Sequence, residues 1–460
     1  MSAHWLSEVA SATGGKLIGT DREFLRIGTD TRKLMAGELF VALRGPRFNG
    51  HEFVTQAEKL GASGALVEHP LACHLPQIVV SDTRRALGAY ATYWRGRFAI
   101  PVIGVTGSNG KTTVKEMIVS ILRQRHVTLA TRGNLNNDIG VPLTLLEMNE
   151  QHRAAVIEMG TNHPGEIEYL ARLTSATVGV VTNAGAAHLE ALGSVRNVAL
   201  EKGALFSGLR ANGIAIINAD DEHAALWREL TGQRQHRSFG LSEQADFHPQ
   251  PGSLKPVPTG VWEFRLVSPV GDATIHLSLP GRHNVLNGLA ATAAATAAGA
   301  SLDDVMTGLA NTPVTTGRLI VMPGVRGCRL IDDTYNANPL SLRVAMEFAL
   351  SLGDPVWLVL GDMGELGEHA AGLHADCGEL AQRLGVVRLV SFGSLSLHAT
   401  EQFGAGAEHF VDREALIDAL RTGVRSGITL LIKGSRSMRM ERIVEALRAS
   451  QTLGQSAGGS

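Results

Sequence analysis

The residues with the clearest chemical potential lie in the stretch 101–116, PVIGVTGSNGKTTVKE. Residues 102–106 form a β-branched run that predicts a buried strand, and a glycine-rich turn follows it. Apolar residues spaced three and four apart then predict a helix that begins near Lys111. Free N–H groups at a helix start attract phosphate oxygens, a lysine there reaches the outer phosphates, and the Thr112 hydroxyl can bind Mg²⁺. The stretch therefore predicts a phosphate-binding loop.

This loop departs from the general phosphate-binding pattern, because Val105 stands where that pattern has its first glycine. A glycine-rich turn before an unrelated helix is the alternative interpretation. The run GSNGKTT resembles the G-[ST]-x-G-K-T-[ST] signature of the Mur ligase and folylpolyglutamate synthase superfamily, whose members activate a carboxylate with ATP and join it to an amine. The resemblance implies that the whole run contacts ATP: Gly107, Ser108, Asn109, Gly110, Lys111, Thr112 and Thr113.

The elements around the loop predict an α/β protein. A length of 460 residues suggests two to four domains, and we expect three. Short β-branched segments alternate with helical segments, which is typical of parallel sheets. The expected units are an N-terminal α/β domain (1–96), a central P-loop ATPase-type parallel-sheet domain (97–312), a C-terminal Rossmann-like α/β domain (313–450) and a flexible tail (451–460).

Composition excludes several classes of protein. The net charge is −2 with charges well mixed, which does not favour nucleic acid as a partner. The three cysteines lie far apart without metal-ligand spacing, so we expect no disulfide framework or zinc site. The N-terminus has no apolar signal-peptide core, and no stretch predicts a membrane span. We therefore expect a cytoplasmic protein without membrane insertion, and a monomer.

Two segments of the N-terminal unit combine turn formers with arginine, histidine and phenylalanine: residues 29–32 and residues 44–51. Such a mixture can hold phosphate and stack on a base, although ordinary solvated loops have the same composition. The segments resemble the uridine-nucleotide-binding domain of the Mur ligases that add the third residue or the terminal dipeptide. The resemblance implies substrate contacts for Thr31, Arg32 and His51.

The segment 133–142, GNLNNDIGVP, is dense in amides and turn residues, which predicts an exposed loop able to recognise a ligand. A structural asparagine-rich turn is the alternative. The segment resembles the GNxNNxIGVP signature of the dipeptide-adding Mur ligases, where it faces the nucleotide-sugar substrate. The resemblance implies substrate contacts for Asn136 and Asn137.

Three further residues concern a metal site. Glu158 ends a predicted strand, where a carboxylate can face the phosphate-binding loop. His188 also follows a strand, and Lys202 by composition is an exposed helical lysine. The resemblance implies two Mg²⁺ ions, the first held by Thr112, Glu158 and the outer phosphates and the second near His188. It also implies that Lys202 is carbamylated and binds the second ion.

The remaining candidates concern adenine and the C-terminal unit. The run 281–291 resembles a GxHNxxNxLAA helix that contacts adenine, which implies roles for Asn284 and Asn287, while a helix cap is the alternative for Asn284. The resemblance also implies that Arg318 reaches the ATP phosphates. It implies that Asp333 and Asn336, in the run DDTYNANP, complete the nucleotide and acyl-phosphate site.

The resemblance covers about residues 25–445. It implies an ATP-dependent ligase that joins D-alanyl-D-alanine to UDP-N-acetylmuramoyl-tripeptide through an acyl phosphate, with catalytic Lys111, Lys202, His188 and Arg318. One alternative is the ligase that adds the third amino acid, which would carry a DNPR-type motif. A folylpolyglutamate synthase-like ligase would lack the uridine-binding domain, and a non-ligating P-loop NTPase would only hydrolyse ATP. The third residue of the tripeptide, lysine or diaminopimelate, stays open.

Overall fold

The structure, a computed structural model, describes residues 3–257 and 260–449, and the predicted tail at 451–460 lies outside them. The N-terminal unit is built on a five-stranded sheet in the order β2-β9-β8-β5-β4, in which only β2 is antiparallel to its neighbour. Its elements are β1 His4–Trp5, α1 Leu6–Thr13, β2 Lys16–Ile18, β3 Glu23–Phe24, β4 Ile27–Gly28, β5 Leu39–Val41, β6 Arg44–Gly45, β7 Phe48–Asn49, α2 Val54–Lys59, β8 Gly64–Val67, β9 Gln77–Val79 and α3 Thr83–Gly96.

The central unit carries a six-stranded, all-parallel sheet in the order β11-β12-β10-β13-β14-β15. Its elements are β10 Val102–Thr106, α4 Lys111–Leu122, β11 Thr128–Ala130, α5 Gly140–Leu146, β12 Ala154–Glu158, α6 Glu166–Thr174, β13 Val178–Val181, α7 Leu189–Leu192, α8 Val195–Ser207, β14 Ile214–Asn218, α9 Ala224–Thr231, β15 Gln235–Phe239, β16 His248–Pro249, β17 Lys255–Pro256, β18 Trp262–Val267, β19 Ala273–His276, α10 His283–Ala297 and α11 Leu302–Ala310. Strands β16 to β19 form a small antiparallel sheet that the sequence did not predict.

The C-terminal unit has a six-stranded sheet in the order β20-β21-β25-β22-β23-β24. Its elements are β20 Ile320–Pro323, β21 Arg329–Asp333, α12 Pro339–Ser351, β22 Val356–Gly361, α13 Ala370–Leu384, β23 Arg388–Phe392, α14 Leu397–Phe403, β24 Ala407–Phe410, α15 Arg413–Gly423, β25 Thr429–Lys433 and α16 Glu441–Leu447. The edge strand β20 pairs antiparallel with β21, whereas the other neighbouring strands of this sheet pair in parallel, as expected of a Rossmann-like unit.

The largest hydrophobic core crosses the predicted boundary at residue 96. Helix α3 contributes Tyr90 and Trp94 to a core that also contains Leu6 of the N-terminal unit and Leu170 of the central unit. The indole of Trp94 donates to the main-chain oxygen of Met148 at 2.9 Å. Helix α3 therefore belongs to both units.

Within the described residues, no helix is both long enough and apolar enough to span a bilayer.

Candidate functional site

The phosphate-binding loop connects β10 to α4, and two of its glycines are required by close packing. Gly107 has φ 147° and would place a Cβ against the hydroxyl of Thr182. Gly110 has φ 81°, and a Cβ there would lie 2.6 Å from Oδ1 of Asn287 on α10. Side chains at either position would push the loop away from its neighbours. The loop is thus held between the sheet and α10 with its N–H groups at the start of α4.

Lys111 lies at the first position of α4 and folds back over the loop. Its Nζ donates to the main-chain oxygens of Gly107 at 2.6 Å and Ser108 at 3.2 Å. Desolvation lowers the pKa of Lys111 to about 8, with Glu158 opposing the shift and Arg318 adding to it. A phosphate group entering the loop would replace these carbonyl contacts with a charged partner. Thr112, the next residue, is buried beside it.

Glu158 ends β12 at the carboxyl edge of the central sheet and is 2% exposed. Its Oε1 accepts a hydrogen bond from Nδ2 of Asn136 at 2.8 Å. Its Oε2 is buried and has no hydrogen-bond partner among the described residues. A buried carboxylate oxygen without a partner is costly unless a cation or donor completes it. The Glu158 carboxylate is therefore suited to bind a divalent cation, and the hydrogen bond from Asn136 orients that carboxylate.

His188 follows β13 and faces the C-terminal unit. Its Nδ1 lies 2.6 Å from Oε2 of Glu365, a residue that the sequence analysis did not select although it lies in the run GDMGELG. Both residues have positive φ, 56° for His188 and 63° for Glu365, which is uncommon outside glycine. The His188 contact is the leading cause that lowers the pKa of Glu365. Two strained segments from different units thus meet at this edge of the cleft.

Lys202 lies on α8 and is fully buried, so the expectation from composition of an exposed lysine was wrong. Its Nζ has no hydrogen-bond partner among the described residues. Desolvation and then the nearby Lys111 ammonium lower the pKa of Lys202 well below its ordinary value. Burial and the neighbouring ammonium therefore favour the neutral amine, which is the form that reacts with electrophiles.

A cavity of about 380 Å³ extends from the phosphate-binding loop towards α10 and the C-terminal unit. Asn284 and Asn287 both line it, and Nδ2 of Asn287 donates to Oδ1 of Asn284 at 2.8 Å. The cap alternative for Asn284 was wrong, because Arg282 is the residue that precedes α10. Asn284 instead donates from its amide to the main-chain oxygen of Pro280 at 2.6 Å. The two asparagines form a polar patch beside the apolar side chains of Leu286 and Ala290, which also line the cavity.

The C-terminal unit closes the other side of this cavity with Arg318, Asp333 and Lys433. The Arg318 guanidinium lies 4.3 Å from the ring centroid of Tyr335, and its Nε has no hydrogen-bond partner among the described residues. Asp333 Oδ2 lies 2.5 Å from Nζ of Lys433. Asn336 is exposed and does not line the cavity; its main-chain oxygen accepts from Lys433 at 3.0 Å. Lys433 is a site residue that the sequence analysis missed, although the run LIKGSR carried it.

The N-terminal candidates lie outside this cluster. His51 is buried, and its ring nitrogens contact Oδ1 of Asn49 at 2.9 Å and the main-chain N of Glu68 at 2.9 Å. Arg32 is highly exposed and pairs with Asp30 at 2.7 Å. Thr31 donates to Gln56. His51 therefore shapes the 44–51 segment from inside, whereas the other two lie at the surface.

Asn137, the remaining loop candidate, faces its own chain. Its Oδ1 accepts from the main-chain N–H groups of Ile139 at 3.2 Å and Gly140 at 2.9 Å, at the start of α5. The structural-turn alternative therefore describes this side chain.

Among the described residues, no group of three or more His, Cys, Asp and Glu side chains could hold a metal ion alone. A cation bound at Glu158 would need hydroxyl, phosphate or modified-lysine oxygens as well.

Sequence comparisons match three consecutive segments to family descriptions: "Mur ligase family, catalytic domain" at residues 23–95, "Mur ligase middle domain" at 105–295 and "Mur ligase, glutamate ligase domain" at 317–436. The UDP-N-acetylmuramoyl-tripeptide–D-alanyl-D-alanine ligase of Escherichia coli K12 is 43% identical over 97% of this chain and 99% of its own length. The chain belongs to the Mur ligase family. This Mur ligase is accordingly an ATP-dependent ligase.

Solved structures agree with this assignment. MurF from Acinetobacter baumannii is 36% identical and superposes with a TM-score of 0.91 over 97% of this chain and 98% of its own. MurF from Thermotoga maritima in complex with ADP is 28% identical, with a TM-score of 0.82 over 92% of this chain and 96% of its own. The three-unit α/β architecture of this Mur ligase is therefore that of its solved relatives, and ATP is its nucleotide.

Proposed function

We propose that this Mur ligase joins D-alanyl-D-alanine to UDP-N-acetylmuramoyl-tripeptide, which yields the pentapeptide precursor of peptidoglycan. The observation that carries the proposal is the end-to-end similarity to ligases of that printed activity, 43% over 97% of the chain. The run DDTYNANP supports it further, since the ligase that adds the third residue would carry a DNPR-type motif there. The terminal carboxylate of the tripeptide takes the γ-phosphoryl group of ATP, and the dipeptide amine then displaces phosphate.

The residues around the cavity have roles suited to phosphoryl transfer. Gly107 to Thr113 hold the phosphates of ATP, and Asn284 and Asn287 face adenine. Lys111 from one side and Arg318 from the other offset the charge on the transferring group, which is the main catalytic requirement of such a reaction. Asp333 holds the nucleotide from the C-terminal unit through its Lys433-fixed carboxylate. Asn336 contributes through the main-chain contact with Lys433.

The proposal includes two Mg²⁺ ions. Thr112 and Glu158 would hold the first, with the free Oε2 of Glu158 as the supporting observation, and His188 with Lys202 would hold the second. Bound Mg²⁺ supplies positive charge to the phosphate oxygens. Lys202 fits a carbamate because its amine is buried, unpartnered among the described residues and shifted towards the neutral form. The carbamate would be an anion with two oxygens at a position where an ammonium would oppose Lys111 and the metal.

The N-terminal unit is proposed to hold the uridine nucleotide. Thr31 and Arg32 are the accessible candidates there, and His51 acts by shaping the neighbouring segment. Asn136 lies on the loop between β11 and α5, where it would border the sugar-peptide part of the substrate, and Asn137 would contribute by holding the turn of that loop. We also propose a monomeric enzyme of the cytoplasm, where ATP and nucleotide-linked precursors are found.

One assay tests the function. The purified protein is incubated with Mg-ATP, UDP-N-acetylmuramoyl-tripeptide and D-alanyl-D-alanine, and the pentapeptide is sought by mass spectrometry. Parallel reactions contain the nucleotide-linked dipeptide with a free third amino acid, or a folate with glutamate. Tripeptides ending in lysine and in diaminopimelate are compared to define the third residue. Release of ADP without any ligated product would contradict the proposal and favour a non-ligating NTPase.

A further inference from the structure

The N-terminus of α12 in the C-terminal unit lies directly against the phosphate-binding loop. Nδ2 of Asn338 donates to Oδ1 of Asn109 at 2.8 Å, and Nδ2 of Asn109 donates to Oδ1 of Asn338 at 3.3 Å. The two residues are 229 positions apart in the chain. A side-chain amide offers both a donor and an acceptor, so two facing amides fix each other's distance and orientation. We call this reciprocal pair the amide clasp.

Each half of the clasp is held by its own unit. Asn338 is 8% exposed, and its Oδ1 also accepts from the main-chain N of Ser341 at 2.9 Å as the N-cap of α12, with proline at the next position. On the loop, the main-chain N of Asn109 donates to Oδ1 of Asn183 at 2.9 Å, and its main-chain oxygen accepts from the Thr182 hydroxyl at 2.6 Å. The clasp therefore joins two rigid frames rather than two mobile side chains.

The clasp lies beside the cavity that residues of both units must line together for the reaction to occur. Asn109 stands two residues before Lys111 in the phosphate-binding loop, and Asn338 stands five residues after Asp333. The first turn of α12 contributes Leu340 and Ser341 to the wall of the nucleotide cavity. Movement of the C-terminal unit away from the loop would break the clasp and withdraw Asp333 from the cavity together. The position of this unit is thus coupled to the loop that holds the phosphates.

We propose that Asn338 is a positioning residue of the ligase reaction. Through the amide clasp it holds the C-terminal unit closed on the phosphate-binding loop, so that Arg318 and Asp333 stand over the nucleotide. This inference rests on the proposed function for its kinetic consequence but not for its structural one. The contact between His188 and Glu365 bridges the same units at a second point, so loss of the clasp weakens closure without abolishing it.

The test uses substitutions that preserve the helix cap. Asn338→Ser keeps a good N-cap oxygen but is too short to reach Asn109, and Asn109→Ser removes the other half while leaving its main-chain contacts. We expect each single variant to lower kcat for ligation about tenfold, as expected for the loss of one or two neutral hydrogen bonds. In Asn338→Ser, which leaves the phosphate-binding loop itself intact, the Kd for Mg-ADP changes less than kcat does. The double variant is no slower than either single variant, because each one already removes the whole clasp.

A second readout does not depend on ligation. Small-angle X-ray scattering with Mg-ADP should give a larger radius of gyration for all three variants than for the wild type, because the open arrangement becomes more populated. The matched control is Asp412→Ser, which changes the N-cap of α15 in the same unit but outside the cleft. There Oδ1 of Asp412 accepts a hydrogen bond of 2.8 Å from the main-chain N–H of Ala415. This variant should keep wild-type kcat and scattering.

Any of three outcomes would overturn the proposed role of the clasp. The first is wild-type kcat and wild-type scattering for Asn338→Ser. The others are a double variant whose loss in kcat is the product of the two single losses, or an Asp412→Ser variant that loses as much kcat as Asn338→Ser. A wild-type protein that makes no pentapeptide would overturn the proposed function instead. The scattering comparison would then still decide whether Asn338 holds the units together.

Discussion

At the scale of single residues, cationic side chains of the cleft lower one another's pKa. The Lys111 ammonium lowers the pKa of Lys202, and the Arg318 guanidinium lowers that of Lys111, in each case in addition to burial. The carboxylates of Glu158 and, to a smaller extent, Glu365 oppose the shift in the pKa of Lys111. Cations placed this close together repel one another in a partly desolvated cleft unless an anion lies between them. This is the arrangement expected of a site that receives the polyanionic phosphates of ATP.

Removal of the Lys111 ammonium should be the most damaging single change. We expect Lys111→Ala to lower the ligation rate by at least about 10²- to 10³-fold, the range seen when one preorganised stabilising group is lost from a transition state. Pentapeptide formation under saturating Mg-ATP is the measurement. Lys16→Ala, on an exposed position of β2, is the control and should keep full activity. Near-normal turnover of Lys111→Ala would rule out the role of the loop in phosphate transfer.

The proposed carbamylation of Lys202 predicts a dependence of activity on CO₂. Thorough removal of CO₂ and bicarbonate should lower activity, and bicarbonate should restore it, because the buried amine, whose pKa is lowered, adds CO₂ and releases a proton to give a carbamate anion. Lys202→Arg should not substitute, since a guanidinium stays cationic at neutral pH. A carbamate signal in the ¹³C spectrum of protein supplied with labelled bicarbonate gives a readout apart from activity. Full activity of Lys202→Arg would contradict the carbamate.

At the scale of elements, the sequence predicts best where chemistry and periodicity coincide. Strand β10, the loop and α4 were located within a residue because a β-branched run, two glycines and an amphipathic helix follow one another. Strand β12 was found because its run is apolar throughout, and Glu158 stands at its end. The convergence of Lys111 and Glu158 in one cleft follows from β10 and β12, parallel strands whose carboxyl ends share an edge.

For other elements, the sequence shows no periodic pattern that would predict a strand. Strands β16 and β17 have two residues each and include proline, so neither shows the alternation that marks a strand. Strand β20 is an edge strand whose antiparallel pairing depends on β21, which no local pattern specifies. The burial of Lys202 was likewise invisible, because it is set by packing of α8 against distant segments. The chemistry of a position can thus be inferred locally, whereas its burial often cannot.

The first described element predicts a dependence of stability on pH. His4 in β1 is 3% exposed, its ring centroid lies 3.8 Å from that of Trp94, and its Nδ1 lies 2.6 Å from the Tyr90 hydroxyl. Burial, with a smaller effect of Arg97, lowers its pKa from 6.5 to about 4. The neutral folded form is therefore favoured above pH 6.5. Stability is lost as the pH falls from 6.5 towards 4, where the unfolded chain binds the proton first.

The loss from His4 should approach about 3 kcal/mol near pH 4, since one pKa unit corresponds to about 1.4 kcal/mol. His283 has a pKa lowered to about 4 by burial as well, so it contributes with the same sign. Urea unfolding at pH 7, 6 and 5 measures the total slope of the free energy of unfolding against pH. His4→Phe should reduce that slope by up to one proton while leaving the contribution of His283. An unchanged slope in His4→Phe would show that His4 titrates normally in the folded protein.

At the scale of the whole molecule, the N-terminal and central units share a core. Trp94 is 1% exposed within it and donates from its indole to Met148 of the central unit. Truncation of the chain at residue 96 would therefore remove part of the central core together with the uridine-binding candidates. For this reason point variants at Thr31 and Arg32 test substrate binding more cleanly than truncation does.

The shared core predicts that the two units unfold together. Trp94→Ala should lower the free energy of unfolding by about 3–5 kcal/mol, as for other fully buried large aromatic side chains. Native-state hydrogen exchange should show faster exchange in both β8 and β12. Tyr93→Ala, on the same helix but 44% exposed, is the matched control and should change both strands little. Faster exchange confined to β8 would mean that the units are independent.

Helix α3 also bears on how such a chain can change through evolution. A substrate-binding module that ends in an independent linker can be exchanged by recombination at that linker, because both halves keep their interiors. Here a crossover at residue 82 would separate His4 from Tyr90, and one at residue 96 would separate Trp94 from Met148. A functional hybrid with a relative would need both sides of the core from one parent. The N-terminal unit of this chain is therefore inherited together with the face of the central unit that it covers.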